Sequence, residues 1–292
     1  MPGIRYVYAP PVASVRDEPF DRLERFYDAV PRDGAHTEDF GGLVLFVRDG
    51  AGWPFYARPR LDATEPPSAA DISAVRQRQR DLGLPEAFEW VHDNNPELLA
   101  VARSAGLSVL EAPLMVLDPT ALPPAAELGG PAVRILDPAA PGFAADVAVR
   151  RAVAAVGFAA PGTEIGAAGS AARDAALVEL PVDSLDEERA RTATGRRISA
   201  LVEMPGEGAV ASGMALRVDD VAEIAGIATL PSARRRGLGA AVTAALARRL
   251  LDDGTNLIFL SAGSEEIARV YLRVGFRRIG TACIAEPAPA AL

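Results

Sequence analysis

The stretch that most constrains the fold runs from Val221 to Ala247, VAEIAGIATLPSARRRGLGAAVTAALA. An apolar run, Ile224 to Leu230, ends at Pro231. Arg234, Arg235 and Arg236 follow, then Gly237-Leu238-Gly239 and an alanine-rich segment with helical periodicity. This reads as strand, turn and helix, with the glycines where the helix begins. Such a turn offers unpaired backbone N–H groups and the positive end of a helix dipole to an anion. Gly237 and Gly239 carry no side chain, so a ligand can lie against the backbone. The arginines add charge suited to phosphate. The expected ligand is a phosphate or pyrophosphate. No Lys-Ser/Thr follows the glycines, so this is not a P-loop. The spacing G-x-G-x-x-G of dinucleotide-binding folds is also absent. A glycine pair at a helix start is common by itself, and an arginine triplet is often only a solvated face.

The spacing Arg234-Arg235-Arg236-Gly237-Leu238-Gly239, directly after a strand ending in Ala228-Thr229, resembles the acetyl-CoA loop of the GNAT N-acetyltransferases. A second element downstream, Ala268-Arg269-Val270-Tyr271-Leu272-Arg273-Val274-Gly275-Phe276, is similar to the tyrosine-bearing helix and following strand of that family. Together they cover roughly the last quarter of the chain. The resemblance implies that the pantetheine arm of acetyl-CoA lies along the backbone of Ile227, Ala228 and Thr229. A backbone N–H there would polarise the thioester. The pyrophosphate would sit on the N–H groups from Arg235 through Ala240. Tyr271 takes the place of the family's general acid; a core tyrosine under the last strand is the plainer reading of the same residue. Glu223, at the start of the strand, is the candidate base, and a polar residue at a strand entrance is its alternative. Period-two alternation puts Glu223 on one face with Ala225, Ile227 and Thr229. Glu265 stands where the family often has Asn, which leaves Ser261 or Ser264 to contact pantetheine.

The 292 residues suffice for one large or two medium domains. Hydrophobic residues make up 49 %, as in a globular chain. A formal net charge of -9 argues against general nucleic-acid binding and suits cationic substrates; strongly salt-dependent DNA binding would revive a role for the arginine cluster. All 30 basic residues are arginine, which excludes lysine nucleophiles and Schiff bases. One cysteine, Cys283, and two histidines, His36 and His92, leave no intrachain disulfide and no zinc site. Neither a leader-like apolar segment nor a membrane-length apolar run is present, and a cytoplasmic location is expected.

The rest of the chain reads as mixed α and β. Pro19 to Val30 forms an amphipathic helix with Phe20, Leu23, Phe26, Tyr27 and Val30 on one side. Residues 42–47 and 53–57 read as strands, 69–82 as a helix, 88–91 as a strand, 96–105 as a helix and 107–117 as a strand. Asp118 to Pro131, rich in Pro, Ala and Gly, reads as a linker. Strands at 133–136, 198–203 and 209–218, a helix at 143–156 and a Gly/Ala-rich loop at 161–170 precede the central unit. Aligning Gly106-Leu107 with Gly275-Phe276, an offset of 169, matches strand, helix, glycine, strand in both halves. The expectation is two tandem GNAT-like domains, each a mostly antiparallel mixed sheet flanked by helices: residues 1–118, a linker 119–131, and 132–292. In the first, Ala102 stands opposite Tyr271 and no arginine-glycine loop follows residue 57, so that copy reads as degenerate. It would cover the substrate site, support folding or mediate a homodimer.

The resulting expectation is an acetyl-CoA-dependent N-acetyltransferase acting on a primary amine of a small molecule, without metal, nucleic-acid partner or membrane. A non-catalytic acyl-CoA-binding module is the alternative; it would keep the loop and turn over no amine.

Overall fold

The computed structural model describes residues 18–50, 52, 54–124 and 131–288. The first half contains α1 (Glu18–Arg32), β1 (Ala35–Phe40), β2 (Leu43–Arg48), β3 (Ala57–Pro59), α2 (Ala69–Asp81), β4 (Phe88–Val91), α3 (Leu98–Ser104) and β5 (Leu107–Leu117). The second contains β6 (Val133–Ile135), α4 (Phe143–Ala159), α5 (Ser170–Ala175), α6 (Val182–Ala193), β7 (Arg197–Met204), β8 (Gly208–Val218), β9 (Val221–Thr229), α7 (Leu238–Asp252), β10 (Leu257–Ser261), α8 (Glu265–Leu272) and β11 (Phe276–Pro287). The strand expected at 53–57 appears only as β3 from Ala57 onward, and Ala51 and Trp53 lie outside the described residues. The segment 125–130 of the expected linker also lies outside them. β1, with its polar sequence AHTEDF, and the short α5 were not anticipated.

All eleven strands join in one sheet, ordered β1-β2-β3-β4-β11-β5-β10-β9-β8-β7-β6. The two halves do not keep separate sheets. Each places its last strand inside the other: β11 lies between β4 and β5, and β5 lies between β11 and β10. The β5/β11 ladder is antiparallel and runs from Leu107↔Pro287 to Leu117↔Phe276. Outward from it the pattern repeats on both sides. β3 and β4 pair in parallel, as do β9 and β10, and the ladders beyond are antiparallel. The offset of 169 places Ala69, the first residue of α2, opposite Leu238, the first residue of α7. The pairing pattern is thus similar on the two sides of the β5/β11 ladder.

Residues Ala112 to Leu117 are buried throughout, as a strand covered on both faces requires. Leu114 and Val116 meet Leu23, Phe26 and Tyr27 of α1, while Met115 and Leu117 join the core that α4 and α7 close. A separate core under α2 and α3 includes Trp90, Phe88 and, from the far end of the chain, Cys283 and Ala285. Among the described residues, no helix is long and apolar enough to cross a membrane, and no group of three or more His, Cys, Asp or Glu is placed to hold a metal ion.

Candidate functional site

β9 and β10 pair only over Val221↔Leu257, Ala222↔Ile258 and Glu223↔Phe259. Beyond Glu223 the strands diverge, and the β10-facing edge of β9 is left without a partner strand. An unpaired strand edge presents N–H and C=O groups that an extended ligand can bind as an added strand. Within this stretch the β8/β9 register jumps between Ser212↔Ala228 and Met214↔Ala225. Gly226 adopts φ +63, a conformation that glycine enters readily. The result is a β-bulge, which re-aims side chains and frees backbone groups.

The bulge overturns the expected alternation. Glu223 points toward α1, where the Tyr27 hydroxyl donates to its Oε1 at 3.5 Å. Ile227 points to the opposite face, where a Cβ on Gly213 would meet both Ile227 Cδ1 and Val242 Cγ1 of α7. Ala228 lies against Gly157 of α4. One strand thus shows Glu223 to the α1 side and Ile227 and Thr229 to the α7 side, where strict alternation would have kept them together.

The divergence opens a cleft of about 1550 Å³. Its walls are Glu223 to Thr229 of β9, the loop and first turn of α7, Ser261, Gly263 and Ser264, the inner side of α8, and the end of α4 with Pro161, Gly162 and Thr163. Of the residues singled out from the sequence, Glu223, Ile227, Ala228, Thr229, Arg234, Arg235, Gly237, Leu238, Gly239, Ala240, Ser264 and Tyr271 all line it. Arg236 does not; it turns to Glu207, 3.6 Å away.

The three arginines have separate tasks. Arg235 takes φ +65 and Gly237 φ +75, and these two left-handed residues wind the chain into α7. The helix begins with no side-chain cap, so its first N–H groups remain available at the cleft. Arg234 is a brace. Its guanidinium donates to the carbonyl oxygens of Gly157 at 2.8 Å and Glu164 at 3.1 Å, and to that of Ala160. It fastens the end of α4 and the following loop to the turn, and its side chain also lines the cleft. Arg235 is exposed beside the cleft, within 3.5 Å of Thr163 Oγ1, and Thr163 in turn donates to Glu266. Arg269 and Arg273, on and just after α8, also line the cleft.

Tyr271 is 8 % exposed and packs edge-on to Phe276. Burial pushes its phenol up to about 12, so it stays protonated at neutral pH. Glu223 is pushed up to about 8, first by burial and then by the negative charge of Glu89, against the hydrogen bond from Tyr27. Ser264 caps α8 by accepting the Ile267 N–H at 3.2 Å, and Glu265 pairs with Arg278 at 2.6 Å. Sequence reasoning placed Tyr27 on an apolar helix face as core. Its ring is core, but its hydroxyl touches both Glu223 and Ser261 Oγ, the latter at 3.4 Å. The one local signal is that Tyr27 carries the only polar atom among the five residues assigned to that face.

The matching position in the first half is closed. Ser68 stands where Gly237 stands in the second half, and α2 begins with a complete capping box. The Asp71 carboxylate accepts the Ser68 N–H at 2.8 Å and the Gly42 N–H at 3.3 Å, and Ser68 Oγ accepts the Asp71 N–H at 3.2 Å. A resident carboxylate fills the place that an anion could take at α7. Ala102, opposite Tyr271, is buried in the α2–α3 core.

Residues 206–285 match the family described as FR47-like protein. No curated protein matches the chain. Among solved structures, a GCN5-related N-acetyltransferase from Kribbella flavida superposes with TM-score 0.64 and 22 % identity, covering 92 % of this chain and 96 % of that one. A GCN5-related N-acetyltransferase from Sphaerobacter thermophilus gives 0.51 and 15 %, covering 93 % and 86 %. A tandem GNAT protein from the clavulanic acid biosynthesis pathway gives 0.50 and 14 %, covering 96 % and 98 %. The diverging parallel pair, the bulge, the open helix start and these matches converge: the chain has the fold of the GCN5-related N-acetyltransferases, and its FR47-like segment is the one that holds most of the cleft.

Proposed function

We propose that the protein is an acetyl-CoA-dependent N-acetyltransferase acting on a primary amine of a small molecule by direct transfer within a ternary complex. The observation that carries this reading is the meeting, in one cleft, of an unpaired strand edge, an uncapped helix start, a protonated tyrosine and a carboxyl of raised pKa.

The residues fit acetyl-CoA. The open edge at Ile227, Ala228 and Thr229 suits the amide groups of a pantetheine arm, and the N–H groups from Arg235 through Ala240, with the Arg235 guanidinium, suit a pyrophosphate. Acetyl-CoA supplies an activated acyl group. The chain must then hold that group, polarise its carbonyl, free the amine of its proton and protonate the departing sulfur. A backbone N–H released by the bulge provides the polarising donor. Glu223, on the opposite face of β9, takes the proton of the incoming ammonium. Tyr271 gives its phenolic proton to the departing thiolate. The raised pKa of Glu223 brings it close to that of a working base near neutral pH.

The two halves divide the work in this reading. Residues 132–292 carry the chemistry. Residues 1–118 form a degenerate copy, because Asp71 occupies its anion position and Ala102 replaces the acid.

Calorimetry with acetyl-CoA tests the proposal. One site per chain is expected, and Gly237→Glu should weaken binding by about a hundredfold or more, since it combines a strained φ with a carboxylate at the helix start. Two sites would show that the first half also binds. No binding at millimolar ligand would sink the transferase reading. Binding without turnover on a broad amine panel would favour a non-catalytic acyl-CoA module.

A further inference from the structure

We propose that the first half completes the acceptor side of the site: Tyr27 of α1 positions the Glu223 carboxyl by a hydrogen bond. The premise is the role of Glu223 as amine base proposed above. Tyr27 comes from the half in which Asp71 fills the anion position.

The geometry is specific. Tyr27 and Glu223 are 196 residues apart, yet the phenol donates to Glu223 Oε1 at 3.5 Å and lies 3.4 Å from Ser261 Oγ of β10. The tyrosine ring has little freedom. It is set edge-on against Phe26 and Phe259, with centroids 5.9 Å and 5.3 Å away, and the Arg58 guanidinium lies 5.1 Å from its centre. Arg58 is itself fixed by an ion pair with Glu24, so the clamp is anchored to α1 and β3. A locked ring holds its hydroxyl in place, which is what a positioning group requires. Burial keeps the Tyr27 phenol well above its ordinary value, so it remains a donor and cannot replace Glu223 as base.

The groups that face Glu223 can be taken element by element. α1 contributes Tyr27, with Glu24 held by Arg58. Arg58 of β3 and Tyr56 just before it stand beside the same space. β4 contributes Glu89, and β10 the neutral Ser261. Glu89 is half-buried, makes no ion pair among the described residues, and is itself pushed up to about 7 by burial. Its charge acts on Glu223 and on Tyr27 in the same upward direction. The two contributions from the first half therefore oppose one another at Glu223: Tyr27 favours the carboxylate and Glu89 disfavours it.

The test needs no acceptor and no turnover. The full-length protein is labelled at the glutamate carboxyl carbon, and the Glu223 resonance is assigned by its loss in Glu223→Gln. In the wild type it should titrate near pH 8. Glu89→Gln should move the midpoint down and Tyr27→Phe should move it up, each by about half a unit or more. Ser261→Ala serves as a further variant if Tyr27→Phe fails to fold, and should also displace the midpoint, because it removes the second contact of the phenol. An upward shift for Tyr27→Phe supports the inference. A Tyr27→Phe midpoint that stays in place or moves down overturns it. A positive result without any amine acetylation would leave the positioning standing and refute the transferase reading; acetylation with unmoved midpoints would do the reverse.

Discussion

A chain ending at Gly275, without β11, is expected to lose the fold of both halves. In a tandem of self-contained domains such a truncation would damage only the second. Here β11 pairs with β4 over Phe88 to Val91 and with β5 along its full length. Its removal strips the ladder partner from one edge of each and opens two further cores: Cys283 and Ala285 leave the α2–α3 core, and Ala282 leaves the one under α1. Unpaired central strands with apolar faces have no stable alternative in water. The expected observation is a protein without a cooperative thermal transition or near-ultraviolet dichroism, including the signals of first-half aromatic residues. Cys283→Asp is the point-substitution counterpart. It buries a carboxylate at a position 1 % exposed within the first half's core and should cost several kcal/mol, about 3 or more. A truncated protein with an intact, cooperatively unfolding first half would show that the interleaved ladder is dispensable.

What the sequence revealed and what it hid follow from the range of the interactions. The unit from β9 to α7 is local. An apolar run, a proline and a glycine pair specify it within a short window, and α7 begins at Leu238, one residue after the expected start. Tyr271 was legible for the same reason, through its fixed distance from Gly275-Phe276. The lone Gly226 inside a strand pattern is the local sign of the bulge, and the bulge takes Glu223 off the face of Ile227 and Thr229 that strict alternation implies. Three consecutive arginines look alike in sequence. The positive φ at Arg235 sends Arg234 to brace carbonyls, Arg235 to the cleft and Arg236 to Glu207. The interleaving of β5 and β11 depends on pairings between segments some 170 residues apart, and no local propensity encodes it. Tyr27 at Glu223 belongs to the same class. Its helix was readable as amphipathic, but the identity of its partner follows only from the assembled sheet.

For the proposed transfer, Glu223→Gln is expected to lower kcat/KM by about a hundredfold to ten-thousandfold, the usual contribution of a general base. Tyr271→Phe should reduce kcat by about a hundredfold, because the departing sulfur loses its proton donor. The two variants should differ in their pH dependence. In the wild type the base is protonated below its raised pKa, so activity rises as pH increases through about 8. That limb should persist in Tyr271→Phe and vanish from the residual activity of Glu223→Gln. The acceptor amine titrates as well. Two acceptors of different amine pKa separate the cases, since a limb that stays in place belongs to the protein. Stability supplies an independent reading of the same carboxyl. Its ordinary value is 4.5 and its folded value about 8, so between these the unfolded chain has released a proton that the folded chain retains. Wild-type stability should then fall, relative to Glu223→Gln, as pH rises from 4.5 to about 8, and the gap should stay constant above that. A wild-type melting temperature that does not fall relative to that of Glu223→Gln across this window would mean that Glu223 ionises at its ordinary pKa, and the acid limb of activity would then need another owner.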